Sequence, residues 1–322
     1  MNLLQVLIQS ANQTLHLVPS VLLIMFIALV GTQVLMQLGF FRKLEPIGRP
    51  LALAAHLPCE SSIAFISSIG STLAANTMIA KFYEDGTINR KEVTLSAILN
   101  TTPVYLREGL TYQLAVVLPA LGTKVGSVYF LTFLLVGVVK ILFVIVYGRM
   151  TLKRREVLVC PTTNQWQKPG LGNALSSAIK IQKRTFIKIA TIFTGLTYVT
   201  LFSINAGLLT WVSQYISPLT MKLSLPASTV IPMGTFVVSP LMGVTSIGAL
   251  IRSGEITEYY GILASLLGGF LMVPVFSLKH SLPTYSSIFG FKLGISILAI
   301  STGLGMLVRG GIFFLFLLLG PL

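Results

Sequence analysis

Lys140 and Arg309 carry the most chemical potential in this chain. Each is a cation inside an apolar run, GVVKILF for Lys140 and GMLVRGG for Arg309. On insertion scales, a cation at membrane depth costs about 2.5–3.5 kcal/mol. Both should therefore face the protein interior or a wet cavity, neutralising backbone carbonyls or binding an anionic group; the competing reading is snorkelling to the interface. Of nine acidic residues, only Glu60 and Glu108 lie in strongly apolar context. Glu60 reads either as a helix-start carboxylate or as a ligand. Glu108, beside Arg107, reads as an interfacial pair or as a proton- or cation-coupling site. Hydroxyls and amides interrupt the same apolar segments: Ser67, Ser68, Ser71 and Asn76, then Asn100 and Thr101, and later Ser239 and Thr245. Such groups can bind a base edge or a sugar hydroxyl, or simply tie helices together.

These residues need elements to hold them, and composition says which. The 322 residues are 54% hydrophobic and only 10% charged, against about 25% charged in soluble domains. A soluble enzyme and a disordered chain are both excluded. Separate apolar stretches of roughly 20 residues suit helical spans. Lys and Arg exceed Asp and Glu by 14, which fits basic cytoplasmic loops better than nucleic-acid binding. Cys59 and Cys160 form neither a CxxC pair nor a disulfide framework, and His16, His56 and His280 complete no metal cluster. No P-loop, HExxH, nucleophile elbow or dinucleotide fingerprint occurs. No enzyme and no cofactor are expected, and the expected partners are the bilayer and a small polar solute. Flat helix faces with small residues are compatible with a homo-oligomer.

The chain reads as a duplication. Leu57–Glu92 aligns without a gap on Leu225–Tyr260, so that Ser71 meets Ser239 and Gly86 meets Gly254. After a small insertion Pro103 meets Pro274, and Lys140 meets Arg309. The expectation is an all-α integral membrane protein of two inverted repeats, each with about three spans plus one re-entrant or broken helical hairpin. The repeats are residues 1–148 and 187–322, joined by a basic cytoplasmic linker, 149–186. First spans are read at Leu17–Phe40 and Ile187–Val212, after a short interfacial helix carrying Leu3, Leu4, Leu7 and Ile8. Returning hairpins at Ser61–Phe82 and Thr229–Ile251 put most basic residues on one side and leave Lys124, Lys222 and Arg252 on the other, as the positive-inside rule requires. The location read is the cell inner (cytoplasmic) membrane.

The run SSIAFISSIGSTLAANTMIAKFYEDGTINRKEVTLSAILNTTPVYLRE, and its second copy FVVSPLMGVTSIGALIRSGEITEYYGILASLLGGFLMVPVF, resemble the Gate, or nucleoside-recognition, domain. The shared pattern is a small-residue break, an apolar helix, a Gly-x-Ile turn and a Pro-containing helix, over 57–108 and 225–279. Similar domains occur in concentrative nucleoside transporters, the ferrous-iron permease and spore maturation membrane proteins; the overall likeness is to stand-alone prokaryotic members. The resemblance implies a secondary permease for a small polar solute, nucleoside-like or anionic, working by alternating access around paired hairpins. The chain lacks the permease's G domain and has Ala227 where a second cysteine would match Cys59. Two other classes stay open: a divalent metal-ion permease using His56, Cys59 and Glu60, and a non-transporting membrane assembly factor.

Overall fold

The computed structural model describes residues 3–38, 45–153, 170–206 and 225–321. Arg42, Cys160, Lys222 and the middle of the expected linker lie outside them. The described residues form helices throughout, without a strand: α1 Leu3–Gln37, α2 Glu45–Ala54, α3 Cys59–Gly70, α4 Thr72–Glu84, α5 Arg90–Leu99, α6 Thr102–Glu108, α7 Leu118–Leu121, α8 Thr123–Thr151, α9 Leu171–Asn205, α10 Val230–Val238, α11 Pro240–Arg252, α12 Glu258–Phe276, α13 Leu282–Phe289 and α14 Phe291–Leu319. π-Helical stretches join α6 to α7 (Gly109–Val117) and α12 to α13 (Ser277–Ser281). Among the described residues, four stretches are long and apolar enough to cross a membrane: Leu3–Gly31, Thr123–Thr151, Glu258–Phe289 and Phe291–Leu319. Leu131, Leu135, Val138, Leu142 and Val146 form an exposed apolar stripe on α8, as expected of a face turned to lipid. The protein is thus an all-α, membrane-embedded chain.

The same series of elements recurs at a spacing of 168 positions. α1 and α9 are both 35 residues long and begin at Leu3 and Leu171. α8 and α14 are both 29 residues long and begin at Thr123 and Phe291. Ser71 and Ser239 share an extended backbone, with φ −152° and −153°. Asn89 and Thr257 both supply a side-chain N-cap to the next helix. Gly86 and Gly254 have φ of +71° and +77°, and Gly122 and Gly290 +89° and +76°, values that favour glycine.

This constant spacing corrects three expectations. No net insertion separates the halves, so Pro103 corresponds to Leu271 rather than Pro274. Lys140 corresponds to Val308, and Arg309 to Ile141, one position out of the expected register. The first spans are longer than read: α1 runs unbroken from Leu3, so no separate interfacial helix precedes it, and α9 begins at Leu171, inside the segment read as linker. Continuous leucine-rich sequence with no Gly or Pro before Pro19 lets α1 propagate to its start.

Each broken segment doubles back. Ser61 on α3 and Asn76 on α4 are 15 positions apart, yet they bond Ser96 and Asn100, which are one turn apart at the end of α5. In the second copy, a Cβ on Gly243 would meet the Phe236 Cα at 2.7 Å. Seven residues of continuous helix would separate them by about 10 Å. The reversals occur where the sequence stops a helix. Gly70–Ser71 starts α4 with a serine cap, and Pro240 forces Ser239 to extend.

Equivalent helices pack antiparallel. Gln37 bonds Ser177, Gln33 bonds Gln182, and Asn205 bonds Ser10, so α1 and α9 run in opposite directions. Lys140 bonds Ser301, while Gly305 lies against Val136, which sets α8 against α14 in the same sense. The open end of hairpin α3–α4 sits at the C-terminal end of α8. There Arg149 donates to the Ala54 carbonyl at 2.7 Å, and a Cβ on Gly148 would strike the Ala55 backbone. The open end of hairpin α10–α11 sits at the other end of α8, where Arg252 donates to the Ala120 carbonyl at 2.6 Å. Each hairpin has its own core. The first contains Phe65, Ile79, Ile98, Val144 and Ile297; the second contains Val125, Phe193, Phe236, Leu263 and Phe313.

Candidate functional site

Lys140 stands near the middle of α8, a helix about 43 Å long at 1.5 Å per residue, and is 4% exposed. Its ammonium donates to Ser301 Oγ at 2.7 Å and to Thr101 Oγ1 at 3.5 Å. It also lies 4.9 Å from the Tyr105 ring centroid, within cation–π range. No carboxylate among the described residues pairs with it; the ion pair Lys124–Glu258, 2.8 Å long, is exposed and elsewhere. An ammonium has three donors, and the two serine and threonine hydroxyls take two of them.

The neighbouring polar groups come from the first hairpin and the helix after it. Asn100 Nδ2 donates to Asn76 Oδ1 at 3.2 Å, with both side chains buried. Tyr285 on α13 lies close to Asn76. Asn100 Oδ1 is buried without a hydrogen-bond partner. Thr101, one residue on, carries the contact to Lys140. α5 ends at Leu99, and the chain restarts as α6 with Pro103 in its first turn. That break turns Asn100, Thr101 and Tyr105 towards α4 and α8. The result is a cation, an open amide acceptor and several hydroxyls held at the crossing of α8 and α14. Together they can hold a small anionic or polar group by charge and directed hydrogen bonds.

Of the residues singled out in the sequence, Asn76, Asn100, Thr101 and Lys140 come together here. Arg107 sits at the first reversal, donating to the Gly70 carbonyl at 3.3 Å, an orphan acceptor at the end of α3. The others do not join. Ser67 and Ser68 bond back to Ile63 and Phe65 within α3. Ser71 is exposed and caps α4, accepting from the Ala74 N–H at 3.2 Å. Ser239 makes no such cap. Thr245 is fully buried with its hydroxyl unpartnered, in the second core. Glu60 lies in the first turn of α3, where its charge suits the helix dipole. Glu108 is exposed and forms no ion pair with Arg107. Arg309 is 7% exposed and lies near Tyr129. It lies eight residues beyond Ser301, about 12 Å along α14, so the two cations are not adjacent.

Tyr105, Ser301 and Tyr285 were not singled out in the sequence. Tyr105 follows Thr101 by four positions, a spacing that puts both on one helix face. Ser301 had a weaker signal, the Ser301-Thr302 pair inside an apolar span. Cys59 is disulfide-bonded, contrary to the expectation of no disulfide, and offers no thiolate. His56 Nδ1 lies 3.3 Å from the Leu152 carbonyl. Among the described residues no three of His, Cys, Asp and Glu gather as a metal set.

The chain is similar to three uncharacterized proteins of Methanocaldococcus jannaschii. One is 25% identical over 90% of this chain and 94% of its own length. A second is 28% identical over 88% and 89%, and a third is 23% identical over 85% of each. No family model matches the chain, and no solved structure shows significant similarity to it.

Proposed function

We propose that this protein is a secondary permease for a small anionic solute, with Lys140 at the centre of the solute site. The observation that carries this reading is a buried ammonium, without a carboxylate partner, at the crossing of two antiparallel spans. Tyr105, Thr101 and Ser301 surround it. In this reading the halves are inverted repeats. The spacing of 168, the antiparallel pairing of equivalent helices and the hairpins opening at opposite ends all support that arrangement. Inverted repeats with discontinuous helices around a midplane site are a recurrent transporter plan. The two hairpins are read as re-entrant and would alternate in opening the site.

Charge supports an orientation in the cell membrane. Arg90, Lys91, Lys153 and Lys292 gather at the end where Tyr83–Glu92 meets Thr151–Lys153 and Phe289–Leu293. The opposite end carries Lys124 balanced by Glu258, and Arg252. In this reading the first end faces the cytoplasm, as the positive-inside rule favours.

The test is thermal stability of the purified protein against organic anions, nucleosides, nucleobases and divalent metals. A ligand specific for the folded state stabilises by about 2.7 kcal/mol at 100 times its dissociation constant. Stabilisation by anions, absent in Lys140→Met, supports the reading; stabilisation by metals alone, or by nothing, overturns it. A second reading rests on the same contacts: the Ser301 and Thr101 hydroxyls and the Tyr105 ring also suffice to make Lys140 a static lock in a membrane assembly protein. That reading predicts no ligand effect and a marked loss of stability in Lys140→Met.

A further inference from the structure

A cavity of about 710 Å³ lies away from Lys140, between the first half of α1, the end of α9 and the end of α11. Gln5, Gln9, Asn12 and His16 line it from α1, Asn205 from α9 and Arg252 from α11. The spacing 5, 9, 12, 16 puts one polar stripe on a single face of an otherwise apolar helix. No carboxylate lines the cavity among the described residues. Arg252 donates one guanidinium nitrogen to the Ala120 carbonyl, while its Nε and its other terminal nitrogen are buried without a hydrogen-bond partner. Gly248 permits this approach, since a Cβ there would collide with the same carbonyl.

We infer that this cavity is a binding site for a phosphate-type oxyanion head, held by Arg252 and the amide stripe of α1. A guanidinium with two unused donors matches an oxyanion in fork geometry, and Gln and Asn amides donate to the remaining oxygens. Leu17 and Leu201 share the lining, and Leu4, Ile8 and Leu15 are exposed beside the stripe. Acyl chains would therefore find an apolar surface next to the head. The inference is independent of transport and uses none of the residues around Lys140.

Thermal unfolding of the purified protein tests it with three probes: phosphatidylglycerol, phosphatidylcholine and inorganic phosphate. Phosphatidylglycerol is expected to raise the midpoint of the wild type and to leave Arg252→Gln unmoved, with phosphatidylcholine inert. Stabilisation by inorganic phosphate to the same extent, again lost in Arg252→Gln, assigns the site to a soluble anion of the same chemistry. If Arg252→Gln does not accumulate, Asn12→Leu/His16→Leu takes its place, because both positions are exposed on α1. Equal shifts in wild type and variant, or no shift with any probe, overturn the inference.

Discussion

Replacing Lys140 by Met separates a solute site from a structural lock, and the structure sets the expected size. Burying the ammonium costs about 2.5–3.5 kcal/mol on insertion scales. Against that stand one short charged hydrogen bond to Ser301, worth about 1.5–3 kcal/mol, and the contact with Tyr105, worth up to about 2 kcal/mol when desolvated. The 3.5 Å contact to Thr101 is at the limit of a hydrogen bond and adds little. These terms nearly cancel, and Met fills much of the same volume without a charge. Lys140→Met should therefore change unfolding stability by less than about 2 kcal/mol in either direction. A solute anion, in contrast, loses its buried charge partner, a loss of about 3 kcal/mol or roughly 100-fold in affinity. The assay is denaturant unfolding of purified wild type and variant, paired with solute uptake into vesicles. Destabilisation well beyond 2 kcal/mol, or uptake equal to wild type, would refute the reasoning.

Other expectations rest on separate contacts. Asn76→Leu strands Asn100 Nδ2 in addition to its already unpaired Oδ1, and should cost about 1–3 kcal/mol; Asn76→Leu/Asn100→Leu should recover part of that in a double-mutant cycle of unfolding free energies. Gly148→Ala drives a Cβ into the Ala55 backbone and should sharply reduce folded yield in size-exclusion chromatography. Gly303→Ala meets nothing within 4 Å and should be neutral or stabilising by up to about 1 kcal/mol, as alanine favours helix. Cysteines placed at Asp85 and Ser253, in the two hairpin-ending turns, should react with an impermeant thiol reagent from opposite membrane faces; labelling from one face would dismiss the inverted arrangement.

The membrane class and the two reversals were legible in the sequence because they depend on local composition. Gly70-Ser71 and Ser239-Pro240 stop a helix whatever surrounds them. The repeat was legible too, since Ser71 and Ser239, and Gly86 and Gly254, hold backbone states that few residues adopt. Its register at the last spans was not. The match of Lys140 to Arg309 was one position off, because apolar spans carry little to fix an alignment. Helix lengths failed where propensity was silent: nothing in Leu3–Gln37 distinguishes an interfacial start from a continuous span. At the site, Asn76, Asn100, Thr101 and Lys140 were found as polar groups in apolar context. Ser301, the partner of Lys140, comes from the other half of the chain, and only packing brings it near. Ser67 and Ser68 misled for the opposite reason, because a helical serine can satisfy itself on the preceding turn.

Alternating access requires the ground around Lys140 to open in turn to the two sides of the membrane. Cysteine accessibility at Ser301, the short-range partner of Lys140, tests it without knowledge of the solute. Ser301→Cys would be placed in a chain with Cys59 and Cys160 replaced by Ala, and exposed to an impermeant thiol reagent in right-side-out and inside-out vesicles. Alternating access predicts modification from both faces. Protection from both faces would make the cluster a closed packing lock, and modification from one face only would contradict alternating access.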